Sequence, residues 1–204
     1  MTDYPAGSKE KAILEAASKR FAYYGFSKVT MDEIATDVAM GKASLYYYFP
    51  TKENLFKAVL AQEKDLFLCE MRTVLQKTAN ASEQLRAYVQ NRLELFRRLV
   101  NLSTLAVDKE ADLITPFGEF FIELEKDEMK LILQILQAGK REGEFALAGM
   151  QQTAEVILHV LHGLRLRAIK KAQRTQLDNT TYHNLKQEGK LIVELLLQGI
   201  TKRN

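Results

Sequence analysis

Residues 30–55 read TMDEIATDVAMGKASLYYYFPTKENL, and the fold follows from this stretch. Thr30-x-x-Glu33 is a capping box: the threonine oxygen accepts the Glu33 amide while the glutamate reaches back to the Thr30 amide. Ile34, Ala35 and Val38 then recur at helical spacing and give a short helix one apolar face. Met40-Gly41 breaks the pattern, and Lys42 to Phe49 resumes it. Two short helices joined by a tight glycine-containing turn are the helix-turn-helix shape, which sets its second helix into the DNA major groove. At 100° per residue, Leu45 and Phe49 share the core face of the second helix. The opposite face is centred on Tyr47, with Ala43 and Ser44 beside it and Tyr46 and Tyr48 on its flanks. Lys42, in the first turn, has a stem long enough to carry its ammonium to a phosphate. Pro50-Thr51 stops the helix, and Thr51 caps the next one, which starts at Lys52.

Working outward, Ser8 is the expected cap of a helix from Lys9 to about Tyr24, with Ile13, Ala17, Phe21 and Tyr24 on one stripe. Gly25 is its left-handed C-cap, and Phe26 packs back on the last turn. Lys52 to about Thr78 reads as one long helix with Leu55, Val59, Leu66, Met71 and Leu75 turned inward. Asn80-Ala81-Ser82 breaks it, and Ser82 to Val100 is helical again. A shorter helical piece is expected at 102–112. Thr115-Pro116 starts a helix reaching about Lys140. A loop through Gly139, Gly143 and Glu144-Phe145-Ala146 leads to helices at about 150–173 and 179–200. No strand-like alternation interrupts this series. The expectation is an all-α protein, with a three-helix unit at 1–55 that carries the helix-turn-helix and a helical bundle at 56–204.

The residues that decide the fold also carry a family resemblance. LYYYFPTKENLF, residues 45–56, resembles the Leu-Tyr-Tyr-His-Phe…Lys-Glu-x-Leu signature of the tetracycline-repressor (TetR) family of bacterial regulators. AILEAASKRFAYYGFSKVTMDEIA, residues 12–35, is similar to that family's first two helices. The specific likeness covers roughly residues 9–60 and is architectural beyond them. Gly41 stands where the family often has serine, Ala43 where it often has glycine, and Tyr48 where histidine is common. The resemblance implies a homodimeric transcriptional regulator, a repressor that a small-molecule ligand releases from a palindromic double-stranded DNA operator. It also implies that the last two helices of two subunits form a four-helix interface. Their apolar faces are Val156, Ile157, Val160, Leu161 and Leu164, then Leu185, Ile192, Leu195 and Leu196.

The candidate DNA-binding residues are therefore Thr30, Lys42, Ala43, Ser44, Tyr46, Tyr47 and Lys52. Ala43, Ser44 and Tyr47 lie nearest the bases, while Lys42, Tyr46, Lys52 and the amide end at Thr30 hold phosphates. Phe67, Met71, Tyr88, Phe96, Phe117, Phe120 and Phe121, with Met129, are the candidate lining for a small apolar or amphipathic effector between bundle helices. Plain core packing accounts for each of these aromatics singly. A helical protein-interaction module without specific DNA binding is the rival reading, since tyrosine-rich faces also suit protein interfaces.

Composition narrows the rest. The net charge is +3, and residues 1–55 carry seven Lys/Arg against seven Asp/Glu, so charge alone does not find a nucleic-acid site. Cys69 is the single cysteine and reads as a buried helical thiol in a reducing compartment. No secretory leader and no 18-residue apolar run is evident, which points to a cytoplasmic protein without a membrane partner. Glu155, His159 and His162 share a helical face, but HVLH is not HEXXH, so no metal ligand or cofactor is assigned. Arg165, Arg167, Lys170, Lys171 and Arg174 read as the solvated end of a helix, where cations suit the dipole. Nucleophile elbows, phosphate-cradling glycine loops and CxxC pairs are all missing, so no catalytic residue is assigned and the protein is read as a non-enzyme.

Overall fold

Side-chain caps fix the starts of several of the helices. A computed structural model describes residues 6–101, 117–172 and 178–202. Among these residues the helices are α1 Ala6–Tyr24, α2 Met31–Asp37, α3 Lys42–Tyr48, α4 Lys52–Gln76, α5 Ala81–Arg98, α6 Gly118–Arg141, α7 Met150–Ala172 and α8 Asn179–Ile200. The all-α expectation holds: the one extended pairing among them is an isolated antiparallel bridge between Phe145 and Thr201. The expected piece at 102–112 and the Thr115-Pro116 start lie outside the described residues. None of the described helices is long and apolar enough to cross a membrane.

The chain divides into two compact units, residues 1–65 and 66–204. The division falls inside α4 and not at the expected 55/56. The first turns of α4 belong to the first unit because Leu55, Phe56, Val59 and Leu60 are all buried. Phe56 meets the Phe21 ring edge-on, with centroids 4.8 Å apart, and the Phe26 ring at 4.9 Å. That aromatic trio fixes α1 against the start of α4. Leu66, expected inward, is exposed. Steps of three and four residues from Leu60 run through Phe67, Met71 and Leu75 and bypass it. Tyr24 is also exposed and lies near the Arg20 guanidinium, whereas Ile13, Ala17 and Phe21 form the buried stripe of α1. Ser8 falls inside α1, which starts at Ala6, so it is not the cap.

In the second unit α5 packs against α6 and α8, and α7 packs between α6 and α8. Asn80, in the expected break, caps α5, its side-chain oxygen accepting the Glu83 amide at 2.9 Å. Ser82 sits in the first turn, where its amide and hydroxyl donate to Glu144 at 3.1 and 2.9 Å. The Ala81 amide donates to the same carboxylate at 3.1 Å. Burial pushes the Glu144 carboxyl up, but the Ser82 hydroxyl and these amides overcome it and hold the group below its ordinary value. Glu144 thus reaches from the α6–α7 loop to satisfy donors that a helix start otherwise leaves open.

The same loop is closed by Gly143, at φ +77°, and by the Glu144 amide donating to the Gly139 carbonyl at 2.8 Å. A Cβ at Gly139 would stand 2.2 Å from the Phe145 ring, so only glycine permits this approach.

The interior of the second unit holds charge as well as hydrocarbon. Arg92 and Glu128 are both buried, paired through Nε–Oε1 at 2.5 Å and Nη2–Oε2 at 3.0 Å. The Tyr88 hydroxyl donates to the same Oε1 at 2.8 Å. Arg165 was expected at a solvated helix end. It is buried instead, because it continues the inward line of Leu158, Leu161 and Ala168 on α7. Arg167 lies 3.9 Å from Glu188, while Lys170, Lys171 and Arg174 have no described side chains. Cys69 is exposed, not buried, one residue past the buried Phe67-Leu68 pair on α4.

Two outcomes test this packing. Gly139→Ala forces the Phe145 ring to move and should cost about 1–3 kcal/mol in urea unfolding. Burial pushes the Glu128 carboxyl up, yet the Arg92 charge overrides burial and brings it from 4.5 to about 2. A carboxylate held below its unfolded value stabilises the fold above that value and stops doing so as pH falls through the folded one. The contribution should therefore be complete above pH 4.5 and vanish towards pH 2. Thermal melts of wild type against Glu128→Gln across that window should converge at the acid end. At neutral pH the variant should be destabilised by roughly 3–5 kcal/mol, because Arg92 is left without its counter-charge.

Candidate nucleic-acid interface

The proposed groove face is built on two anchors. Leu45 is fully buried and Phe49 nearly so, and they pin α3 to the first unit. With that side fixed, Lys42, Ala43, Ser44, Tyr46 and Tyr47 are all exposed, and Tyr48 is half-buried. Tyr47 is 85% exposed, an unusual position for a large ring in a small helical unit. Its edge meets the Tyr48 ring, with centroids 5.6 Å apart, so neighbouring rings support one another on the surface.

The turn before α3 is set by backbone chemistry. The Met40 amide donates to the Ala35 carbonyl at 2.9 Å and the Ala39 amide to the Thr36 carbonyl at 3.0 Å. This pair of bonds is a Schellman closure of α2, and it places Ala39 in the left-handed region at φ +51°. Gly41, the residue the sequence marks as the break, is extended at φ −67° and serves as the N-cap of α3 without a side-chain hydrogen bond.

Polar groups lock α2 in place. Arg20 of α1 forms a two-pronged ion pair with Asp37 through Nε–Oδ2 and Nη2–Oδ1, and its Nη1 lies 3.5 Å from Glu33. The Arg20 hydrogen bond holds the Asp37 carboxyl below its usual value. The capping box is present: the Glu33 amide donates to Thr30 Oγ1 at 3.3 Å, and the Thr30 amide donates to Glu33 Oε2 at 2.8 Å. The Thr30 hydroxyl donates to the same oxygen at 2.9 Å. Those Thr30 bonds bring the Glu33 carboxyl down.

The seven expected residues fall into two groups. Ala43, Ser44, Tyr46 and Tyr47 share one exposed surface with Lys42, whose Nζ donates to Asp32 of α2 at 2.9 Å. Thr30 and Lys52 have internal partners. Lys52 Nζ donates to the Phe26 carbonyl at 3.0 Å and the Val29 carbonyl at 3.1 Å, and stands 4.5 Å from the centre of the Phe26 ring. It clasps the α1–α2 connection to the start of α4. Thr51 caps α4, accepting the Asn54 amide at 3.1 Å.

A depression of about 420 Å³ is lined by Lys9, Met40, Ala43, Ser44, Tyr47 and Tyr48. It joins the exposed face of α3 to the first turn of α1. Sequence reasoning passed over Lys9 and Met40: Lys9 is distant in the chain, and no local pattern links it to α3. Arg20 and Asp32 were missed for the same reason. In the second unit Phe67, Met71, Tyr88 and Phe96 are buried in one cluster, with Phe120 and Met129 packed against it, and Phe117 and Phe121 are buried as well. Among the described residues no group of three His, Cys, Asp or Glu side chains is placed to hold a metal ion.

A family model described as bacterial regulatory proteins, tetR family, matches residues 13–59, from α1 through the first turns of α4. A transcriptional regulator from Cytophaga hutchinsonii ATCC 33406 has a crystal structure that superposes with a TM-score of 0.82. It is 38% identical, over 96% of this chain and 100% of that one. The chain belongs to the tetR family. Among curated tetR relatives, the HTH-type transcriptional regulator RutR of Escherichia coli (strain K12) is 35% identical over 98 residues, 48% of this chain and 46% of RutR. The chain thus spans about half the length of the curated relatives it matches. The tetR fold extends to a distant neighbour, the regulator FadR from Bacillus subtilis solved with stearoyl-CoA, at a TM-score of 0.72 and 20% identity over 93% of this chain and 98% of that one.

The clasp at Lys52 is separable from DNA contact. Lys52→Ala should lower the stability of the first unit by about 1–3 kcal/mol, the worth of hydrogen bonds from a charged donor. The salt dependence of DNA binding should keep its slope, whereas loss of a phosphate contact would flatten it by about one unit.

Proposed function

We propose that this chain is a dimeric, sequence-specific DNA-binding transcriptional regulator, a repressor released from a palindromic operator by a small-molecule effector. The observation that carries the reading is the exposed α3 face. Tyr47, Ala43 and Ser44 stand in solvent beside the depression, while Leu45 and Phe49 anchor the opposite side. Small residues let the helix approach base edges, and tyrosines offer both ring and hydroxyl to bases and backbone. The names of the tetR relatives agree with a regulator and not an enzyme, and such a regulator acts in the cytoplasm, where its operator lies.

Dimerisation is supported by apolar surface on the last two helices. Ile157, Leu161 and Leu185 are used inside the subunit, but Val156 on α7 and Leu191 and Leu195 on α8 are half or more exposed. A second copy is their natural cover, and two-fold pairing gives two reading heads for a symmetric site. The effector reading is supported by the aromatic cluster around Phe67 and Phe96, whose ring centroids are 5.3 Å apart. FadR, which shares the fold, was solved with an acyl-CoA. In this mechanism a ligand in the bundle biases the position of α4. Through the Lys52 clasp, α4 carries the bias to the connection between α1 and α2.

Selection of random duplexes by the purified protein tests the reading. A two-fold symmetric site with steep salt dependence is expected. Recovery of only sequence-independent binding would favour the interaction-module alternative. Tyr47→Ala should weaken the selected site by about 1–3 kcal/mol, with preference relaxed at one base position per half-site. Leu195→Glu should shift sedimentation from dimer to monomer and abolish operator binding at nanomolar protein.

A further inference from the structure

The exposed face of α3 is short of the side chains that read bases through paired hydrogen bonds. Arginine or lysine recognises guanine in this way, asparagine or glutamine recognises adenine, and a carboxylate accepts from the amino group of cytosine. Lys42–Tyr48 reads KASLYYY and carries Lys42 alone of these types. Its ammonium stands in the first turn, donates to Asp32 at 2.9 Å and lies 6.0 Å from the centre of the Tyr46 ring. The rest of the face is hydrocarbon, phenol and one small hydroxyl.

Ala43 and Tyr47 are four residues apart, as are Ser44 and Tyr48, so the two pairs stand in adjacent rows on one side of the helix. Met40, from the preceding turn, joins them around the depression. Its apolar lining is therefore the Ala43 methyl, the Met40 thioether and two tyrosine rings, while Ser44 and Lys9 are the polar members. The Tyr47 ring meets the Tyr48 ring edge-on, which braces both. Tyr47 is almost wholly exposed, so its apolar area adds nothing to the core and is available to an incoming group. Base edges differ in hydrocarbon as well as in hydrogen bonds. In the major groove thymine is set apart by its C5 methyl group, for which alanine and aromatic side chains are ordinary partners.

We propose that this regulator selects its operator by thymine, the 5-methyl group of one thymine per half-site entering the depression between Ala43 and Tyr47. Met40 and Tyr48 complete the apolar surroundings. The inference rests on the DNA-binding reading above, and names the base and the chemical group that it discriminates. Any other base would bring a bare polar edge against carbon and lose hydration without replacement. The Ser44 hydroxyl both donates and accepts, so it adds affinity for a base edge without choosing among bases. Uracil keeps the thymine O4 and lacks only the methyl. By the same chemistry, a cytosine methylated at C5 is preferred at this position to a plain one.

The test changes the DNA first and leaves the protein, and hence its folding, as it is. A site is selected from random duplexes with the purified full chain, and each thymine in it is replaced in turn by deoxyuridine. At one position binding should weaken by about fourfold per half-site, the worth of burying one methyl group. Cytosine there should bind more weakly than thymine, and 5-methylcytosine should regain about fourfold over cytosine. Tyr47→Ala should erase the difference between thymine and deoxyuridine, whereas Tyr47→Phe and Ser44→Ala should keep it. Should Tyr47→Ala fail to fold, Ala43→Gly removes the other neighbour of the methyl and should shrink the difference below twofold. A difference that survives both Tyr47→Ala and Ala43→Gly arises from the stiffness of the DNA or from another contact, and overturns the assignment. Loss of the difference in Tyr47→Phe gives the recognition to the hydroxyl and overturns it too. A two-fold symmetric site that tolerates deoxyuridine at every position sinks the inference and leaves the regulator reading standing. Recovery of no specific site sinks both.

Discussion

The ion pair between Arg92 and Glu128 is the constraint around which the second unit is arranged. Two charges taken out of water need close geometry and further hydrogen bonds to be tolerated. The structure provides a two-pronged contact, with the Tyr88 hydroxyl on the same carboxylate. Tyr88 and Arg92 are four residues apart on α5, so both point at one position of α6. This fixes the register of α5 on α6. The apolar neighbours, from Leu85 and Val89 to Leu131 and Ile132, pack in one cluster about it. Hydrophobic contacts alone tolerate sliding, whereas a paired guanidinium and carboxylate do not.

In the first unit the equivalent role falls to a small set of links between α1, α2 and α4. Arg20 holds α2 through Asp37, and Lys52 holds the preceding connection by its carbonyls. The second helix is only seven residues long, too short to be stable alone, so it depends on these external ties and on its own capping box. The exposed α3 face is consequently presented by a scaffold whose polar bonds are largely internal. Lys42 itself rests on Asp32.

What the sequence made legible is what depends on near neighbours. The capping box at Thr30, the C-cap at Gly25, the Thr51 cap and the split of α3 into Leu45/Phe49 and Tyr47 faces all follow from spacing within about one or two helical turns. The exposed tyrosines were readable for the same reason. Side chains whose partners lie far along the chain were not. Lys52 looks like a phosphate ligand from its position beside the second helix, and only the folded path of 26–29 brings two carbonyls to it. Arg165 belongs to a run of cations that suggests solvent, while its helical phase sends it inward. Glu144 in a loop has no local signal of serving a helix start over sixty positions away. The break at Met40-Gly41 was readable, but the left-handed conformation of Ala39 was not, because alanine gives no such warning.

The loop at Glu144 has a practical bearing on how this protein can be handled. Its carbonyl accepts the Lys202 amide at 2.8 Å, and the neighbouring Ala146 amide donates to the Ile200 carbonyl at 2.8 Å, so the residues after α8 are stitched to the loop that finishes α5. Trimming the chain at the end of α8 would release that loop, and with it the carboxylate that closes the first turn of α5. Lys9, in the first turn of α1, borders the exposed face of α3. Additions after α8 therefore disturb the bundle, and additions ahead of α1 crowd the exposed α3 face. An internal label at the exposed Cys69 thiol avoids both.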